Sequence, residues 1–191
     1  MPLPSTPKTL PVPLTTLIGR EQDIATVCGL LSPPGNAVRL LTLTGAAGSG
    51  KTRLAICVGN ALAQTYPDGV WWVDLSLVLD ERLIAQSIAS ALEITVQPQA
   101  EFDTALIQNL QSRRLLLIID NCEHLIDGCA RLVQRLLSGC PQLQILATSR
   151  ESLKLPGETV WLTPLLSIPR RGSVPSFNWT FDKGNTNETR E

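Results

Sequence analysis

The residues Gly45-Ala46-Ala47-Gly48-Ser49-Gly50-Lys51-Thr52 carry the densest chemical signal in this 191-residue chain. Their spacing, G-x-x-x-x-G-K-[ST], suits a backbone that wraps around a phosphate chain. The glycines permit the tight turn. Successive N–H groups then point inward, and the helix that starts at the lysine adds a favourable dipole. Lys51 is expected to reach the β/γ-phosphates. The Thr52 hydroxyl is expected to ligate Mg²⁺, a hard ion that prefers oxygen.

A second signal is the run Leu115-Leu116-Leu117-Ile118-Ile119-Asp120. A buried aliphatic strand ending in a carboxylate places that acid at the sheet edge where α/β proteins bind ligands. There Asp120 would help hold Mg²⁺. The position after it is Asn121, which cannot act as a base at neutral pH. Glu123 would serve as the base if the turn aims it inward, so weak or no hydrolysis is expected. A third strand end, Leu146-Ala147-Thr148-Ser149-Arg150, finishes on a cation. Arg150 would either sense a γ-phosphate or sit on the surface paired with Glu151. Cys122, His124 and Cys129 offer no fourth ligand at a zinc-like spacing, so packing or hydrogen bonding is expected of them.

The elements that must position these groups follow from hydrophobic period. Helical spacing runs over 20–31, 51–63, 82–92, 102–110 and 127–137. Strand-like stretches are 38–44, 70–74, 115–119, 143–147 and 159–162. Strands alternate with helices and most read as buried on both sides. This predicts an α/β domain with a parallel sheet covered on both faces.

Composition narrows the partners. Lys+Arg 16 against Asp+Glu 17 gives a formal charge of −1. With no basic face and no helix-turn-helix pattern, direct DNA binding by this chain is not expected. No apolar run reaches the ~18–20 residues of a membrane span. Five cysteines, an odd and scattered set, argue against a disulfide framework and for a cytoplasmic chain.

Several separated pieces together resemble a known family, the signal-transduction ATPases with numerous domains, which include NB-ARC-type switches. The likeness is to bacterial versions attached to LuxR-type or SARP-type transcriptional regulators. It rests on Leu17-Ile18-Gly19-Arg20-Glu21, the phosphate loop at 45–52, and Tyr66-Pro67-Asp68-Gly69-Val70-Trp71. It continues with Ile119 to His124, Thr148-Ser149-Arg150-Glu151, Pro156-Gly157-Glu158 and Pro164-Leu165-Leu166. The resemblance implies a P-loop NTPase three-layer sandwich with strand order 5-1-4-3-2, and ATP or ADP with Mg²⁺ as ligand. It also implies that Ile18, Gly19 and Arg20 lie against the adenine. Such proteins rest closed with ADP, signal open with ATP, and turn over slowly.

The resemblance sets the expected boundaries: a proline-rich linker over 1–16, a nucleotide-binding domain over 17–169, and an irregular tail over 170–191. The family continues into helical and winged-helix domains that this tail does not match, so a truncated or frame-shifted end is expected. The partners then open to the chain are nucleotide, a second copy, or a full-length relative. A relative would dock on an exposed sheet edge or the Phe177–Phe181 stretch.

Overall fold

Aliphatic residues that follow one another along a strand point to opposite faces of a sheet, so a continuous run needs cover on both sides. The computed structural model, which describes residues 10, 11, 17, 19–32 and 38–165, supplies that cover. Five strands form one parallel sheet: β1 (Leu40–Thr44), β2 (Val70–Asp74), β3 (Leu116–Asp120), β4 (Gln144–Thr148) and β5 (Glu158–Leu162). Their order is β2-β3-β4-β1-β5, the 5-1-4-3-2 arrangement read from the other edge. Every neighbouring pair runs parallel.

Helices α1 (Glu21–Leu31) and α2 (Lys51–Leu62) cover one face. Val27, Leu31, Leu54 and Val58 pack there against Leu41, Leu43, Leu116, Ile118 and Leu146. Helices α3 (Ile84–Ala91), α4 (Phe102–Leu110) and α5 (Ile126–Gly139) cover the other. On that side Ile88, Leu106 and Leu132 meet Leu117, Ile119 and Ile145. β3 therefore alternates its residues between two cores. The chain is an α/β three-layer sandwich, and each fully buried Leu or Ile contributes roughly 1.5–3 kcal/mol of transfer free energy.

Helix boundaries answer to local hydrogen bonding. The 82–92 helix begins as a 3₁₀ turn, Glu81–Leu83, because the Asp80 carboxylate accepts the Arg82 N–H at 2.9 Å. α5 runs to Gly139, and its last carbonyls are taken by Arg39. One guanidinium nitrogen donates to Leu137 O at 2.8 Å and to Cys140 O at 2.6 Å. α2 lies close on the sheet, since a Cβ on Gly59 would fall 2.7 Å from the Ile118 side chain.

Leu10, placed in the linker by the sequence reading, is buried beside that same Gly59. Ile18, most of the 1–16 segment and all of 166–191 lie outside the described residues. Among the described residues no helix is long and apolar enough to cross a membrane. All five cysteines are free thiols.

Candidate functional site

β1 ends at Thr44 and the chain turns at Gly45, where φ is 145°. A Cβ there would sit 2.9 Å from the Thr163 carbonyl oxygen and 3.1 Å from Ser49 Oγ, so only glycine fits. Ala46, Ala47 and Gly48 form the exposed crest of the loop. Ser49 is fully buried, and Gly50 adopts φ 89° as the residue before α2. The Leu54 N–H then donates to Gly50 O at 2.9 Å, which starts the helix. The loop is therefore a tight turn that runs straight into a helix.

Lys51 is 8% exposed, and its ammonium donates to Gly45 O at 2.9 Å and Ala46 O at 3.0 Å. Both acceptors are neutral carbonyls, which leaves the positive charge uncompensated by them and available to an anion. Beside it the Thr52 hydroxyl lies 3.0 and 3.1 Å from the two Asp120 carboxylate oxygens. The Thr148 hydroxyl donates to Asp120 as well.

Asp120 is 1% exposed. Burial pushes its pKa up, against the hydrogen bonds from Thr148 and Thr52, and the Asp74 and Glu123 charges add to the rise. A desolvated carboxylate with neutral hydroxyl partners is short of a cation. Together with Thr52 it offers the one hydroxyl and one carboxylate that suit Mg²⁺, which keeps several waters and takes phosphate oxygens for the rest. The residues present fit that ion. Among the described residues no group of three or more His, Cys, Asp or Glu is arranged to hold a metal on its own.

The rim on the β2 side is built differently. Asn121 stands in the left-handed region at φ 63°, with its N–H donating to Thr148 Oγ1 at 3.1 Å. Its side-chain amide donates to Asp74 Oδ1 at 3.0 Å and Asp120 Oδ2 at 3.1 Å, bridging two carboxylates. Asp74 belongs to none of the sequence motifs. Its signal was there, because β2 ends on a carboxylate as β3 does, and the two acids pair in register. Partial burial opposes ionisation of Asp74, but hydrogen bonds from Ser76 and Asn121 outweigh it and hold the pKa down. Thr148, part of the polar end of β4, touches both Asp120 and Asn121.

Glu123 and Arg150 meet each other. Glu123 Oε1 lies 3.4 Å from Arg150 Nε, while its Oε2 is buried without a hydrogen-bond partner. Arg150 is 64% exposed, and Glu151 pairs with Lys154 instead, so the surface pairing expected for Arg150 goes to a different acid. A pair at that separation with one partner largely in solvent contributes about 0–1 kcal/mol. The His124 Nε2–H donates to Val78 O at 2.8 Å and pins the loop after β2. Gly19 is exposed and its N–H donates to Glu21 at 3.2 Å. Arg20 is buried, and its side chain reaches Ser49 O at 3.0 Å.

An open hollow of about 540 Å³ beside β2 has Asp74 as its sole charged lining residue. It lacks the convergent charge of the phosphate loop.

Comparison with known proteins is consistent with this geometry. The NB-ARC domain profile matches residues 20–153. An uncharacterised Mycobacterium tuberculosis protein is 41% identical over 155 residues, covering 81% of this chain and 38% of that protein. A candidate HTH-type transcriptional regulator of the same organism is 45% identical over 130 residues, 68% of this chain and 14% of its own length. The chain thus spans well under half the length of these relatives. Among solved structures, a signal transduction ATPase with numerous domains from Pyrococcus horikoshii superposes with a TM-score of 0.52 at 16% identity. That likeness covers 77% of this chain and 23% of the other, and it bears on the fold alone.

Proposed function

The chain belongs to the NB-ARC family, and on that premise we propose that it is an ATP/ADP-binding switch module of a longer transcription-regulating ATPase. The observation that carries this reading is the convergence of Lys51, Thr52 and Asp120 at the C-terminal ends of β1 and β3. The loop 45–52 would enclose the phosphates with its backbone N–H groups, and Lys51 would leave its two carbonyls for the β/γ-phosphates. Thr52 and Asp120 would hold Mg²⁺, which supplies charge neutralisation between phosphate oxygens when bound. Gly19 and Arg20, with Ile18, would border the adenine.

Binding without rapid turnover is the favoured mode. Asn121 occupies the position after Asp120 and is committed to two carboxylates. Glu123 is the candidate base, and its paired oxygen faces Arg150. A γ-phosphate would draw Arg150 to itself, since the ion pair it gives up is weak. This would make Arg150 the sensor that distinguishes ATP from ADP. The switch would operate between the resting ADP form and the signalling ATP form. A reducing cytoplasm suits its free cysteines.

The nucleotide that co-purifies with the chain tests this reading. Chromatography of the supernatant after acid denaturation is expected to show ADP near one equivalent. An empty protein that also fails to take up added ADP with Mg²⁺ would overturn it.

A further inference from the structure

The Arg20 side chain joins three pieces of the molecule that are far apart in sequence. It is 5% exposed. Nη1 donates to Asp23 Oδ2 at 2.7 Å, inside the first turn of α1. Nη2 donates to the Ser49 carbonyl at 3.0 Å and also to the Pro164 carbonyl, two residues past β5. A second tie lies alongside, where the Thr163 N–H donates to Thr44 O at 2.7 Å and the Thr163 backbone closes over Gly45. The segment 163–164 is therefore bonded directly to Thr44 at the start of the phosphate loop and, through Arg20, to Ser49 near its end.

We propose that Arg20 is a positioning residue that sets the shape of the phosphate loop and couples it to the backbone leaving β5. The peptide between Ser49 and Gly50 is planar and trans, so its C=O and N–H point in opposite directions. Holding the Ser49 carbonyl toward Arg20 turns the Gly50 N–H the other way, toward the side where a phosphate would bind. The planar guanidinium presents two donors in a fixed fork and can grip two carbonyls at once, which an ammonium on a flexible stem does not reproduce. Phosphate binding that tightens the Ser49 end also steadies Pro164. By reciprocity, displacement of Pro164 by whatever follows weakens the nucleotide. The ligand-dependent half of this coupling rests on the nucleotide reading above; the strut itself does not.

Amide hydrogen exchange on the full chain, with and without Mg-ADP, tests the coupling in wild type and Arg20→Lys. In wild type, ADP is expected to slow exchange at Gly50–Leu54 and also at Thr163 and Leu165. Arg20→Lys keeps a cation for Asp23. It is expected to bind ADP about tenfold more weakly, to keep protection at Gly50–Leu54, and to lose it at Thr163 and Leu165. Unchanged exchange at β3 amides verifies that the variant is folded. Arg20→Lys retaining both wild-type affinity and the ADP-dependent protection at Thr163 and Leu165 would overturn the coupling. If wild type binds no ADP, the nucleotide reading fails by itself. The strut is then decided in the unliganded chain, where Arg20→Lys should speed exchange at Thr163, whose N–H is bonded to Thr44 O, and an unchanged rate there would overturn it.

Discussion

The two halves of the candidate site differ in how firmly they are built. Around the phosphate loop, Lys51, Asp120 and Thr148 are all buried, and hydrogen bonds tie α2 to the loop and to β3, and β4 to β3. On the rim, Glu123 and Arg150 share one ion pair at 3.4 Å, with Arg150 largely in solvent. Buried polar groups with fixed partners are pre-organised and cost little to bring into play at binding. The exposed Arg150 side chain must be ordered anew each time it is used. The contrast fits the proposed reading, in which the site holds a nucleotide more securely than it would cleave one.

Substitutions in the two halves should therefore separate by magnitude. Lys51→Ala removes the only ammonium in the loop, and calorimetric titration is expected to show ADP affinity falling at least about 100-fold, since charge-assisted phosphate contacts are the strong ones. ADP affinity unchanged in that variant would break the comparison outright. Asp120→Ala comes next. The Mg²⁺-dependent gain in affinity should vanish, on the order of tenfold, while binding measured with EDTA stays as in wild type. An equal loss in both conditions would mean that Asp120 supports the loop and not a metal.

Thr148→Val tests whether the cradle's polar links are needed. It strips a hydroxyl from Asp120 and Asn121 with little change of volume. Urea unfolding is expected to report a loss of about 1–3 kcal/mol, the cost of leaving those buried groups unpaired. A loss near zero would show that the cradle is less tightly bonded than its geometry indicates. The smallest effect belongs to the rim. Arg150→Ala should alter stability by less than about 1 kcal/mol and leave ADP affinity unchanged, while weakening preference for ATP. Equal loss for both nucleotides would end its role as a phosphate sensor.

The same contrast governs how much was legible in the sequence. Elements with strong periodicity came through to the residue, as with β2 (Val70–Asp74) and α4 (Phe102–Leu110). β3 was offset by one, because five aliphatics in a row mark a buried strand but not its register. The cradle residues were readable since a backbone loop needs its glycines, lysine and threonine at fixed offsets. Asp74 stands out in no local motif because its importance comes from lying beside Asp120 in the sheet, a neighbour 46 positions away. The Arg20 link to Pro164 spans 144 positions and leaves no local trace. Glu123 and Arg150 were each named, but their contact with each other depends on a turn whose aim no spacing rule reveals. Sequence spacing thus reports groups held by one loop, and pairings made across strands emerge only from the fold.

The central claim, secure binding with poor cleavage, is tested most directly in a single sample. Equimolar ATP with Mg²⁺ is added to the nucleotide-free chain, and bound nucleotide and released phosphate are followed together. The expected result is near-stoichiometric uptake with phosphate appearing far more slowly than ATP binds, and a rate little changed in Glu123→Gln. Failure to retain ATP, or rapid phosphate release that Glu123→Gln abolishes, would contradict the account.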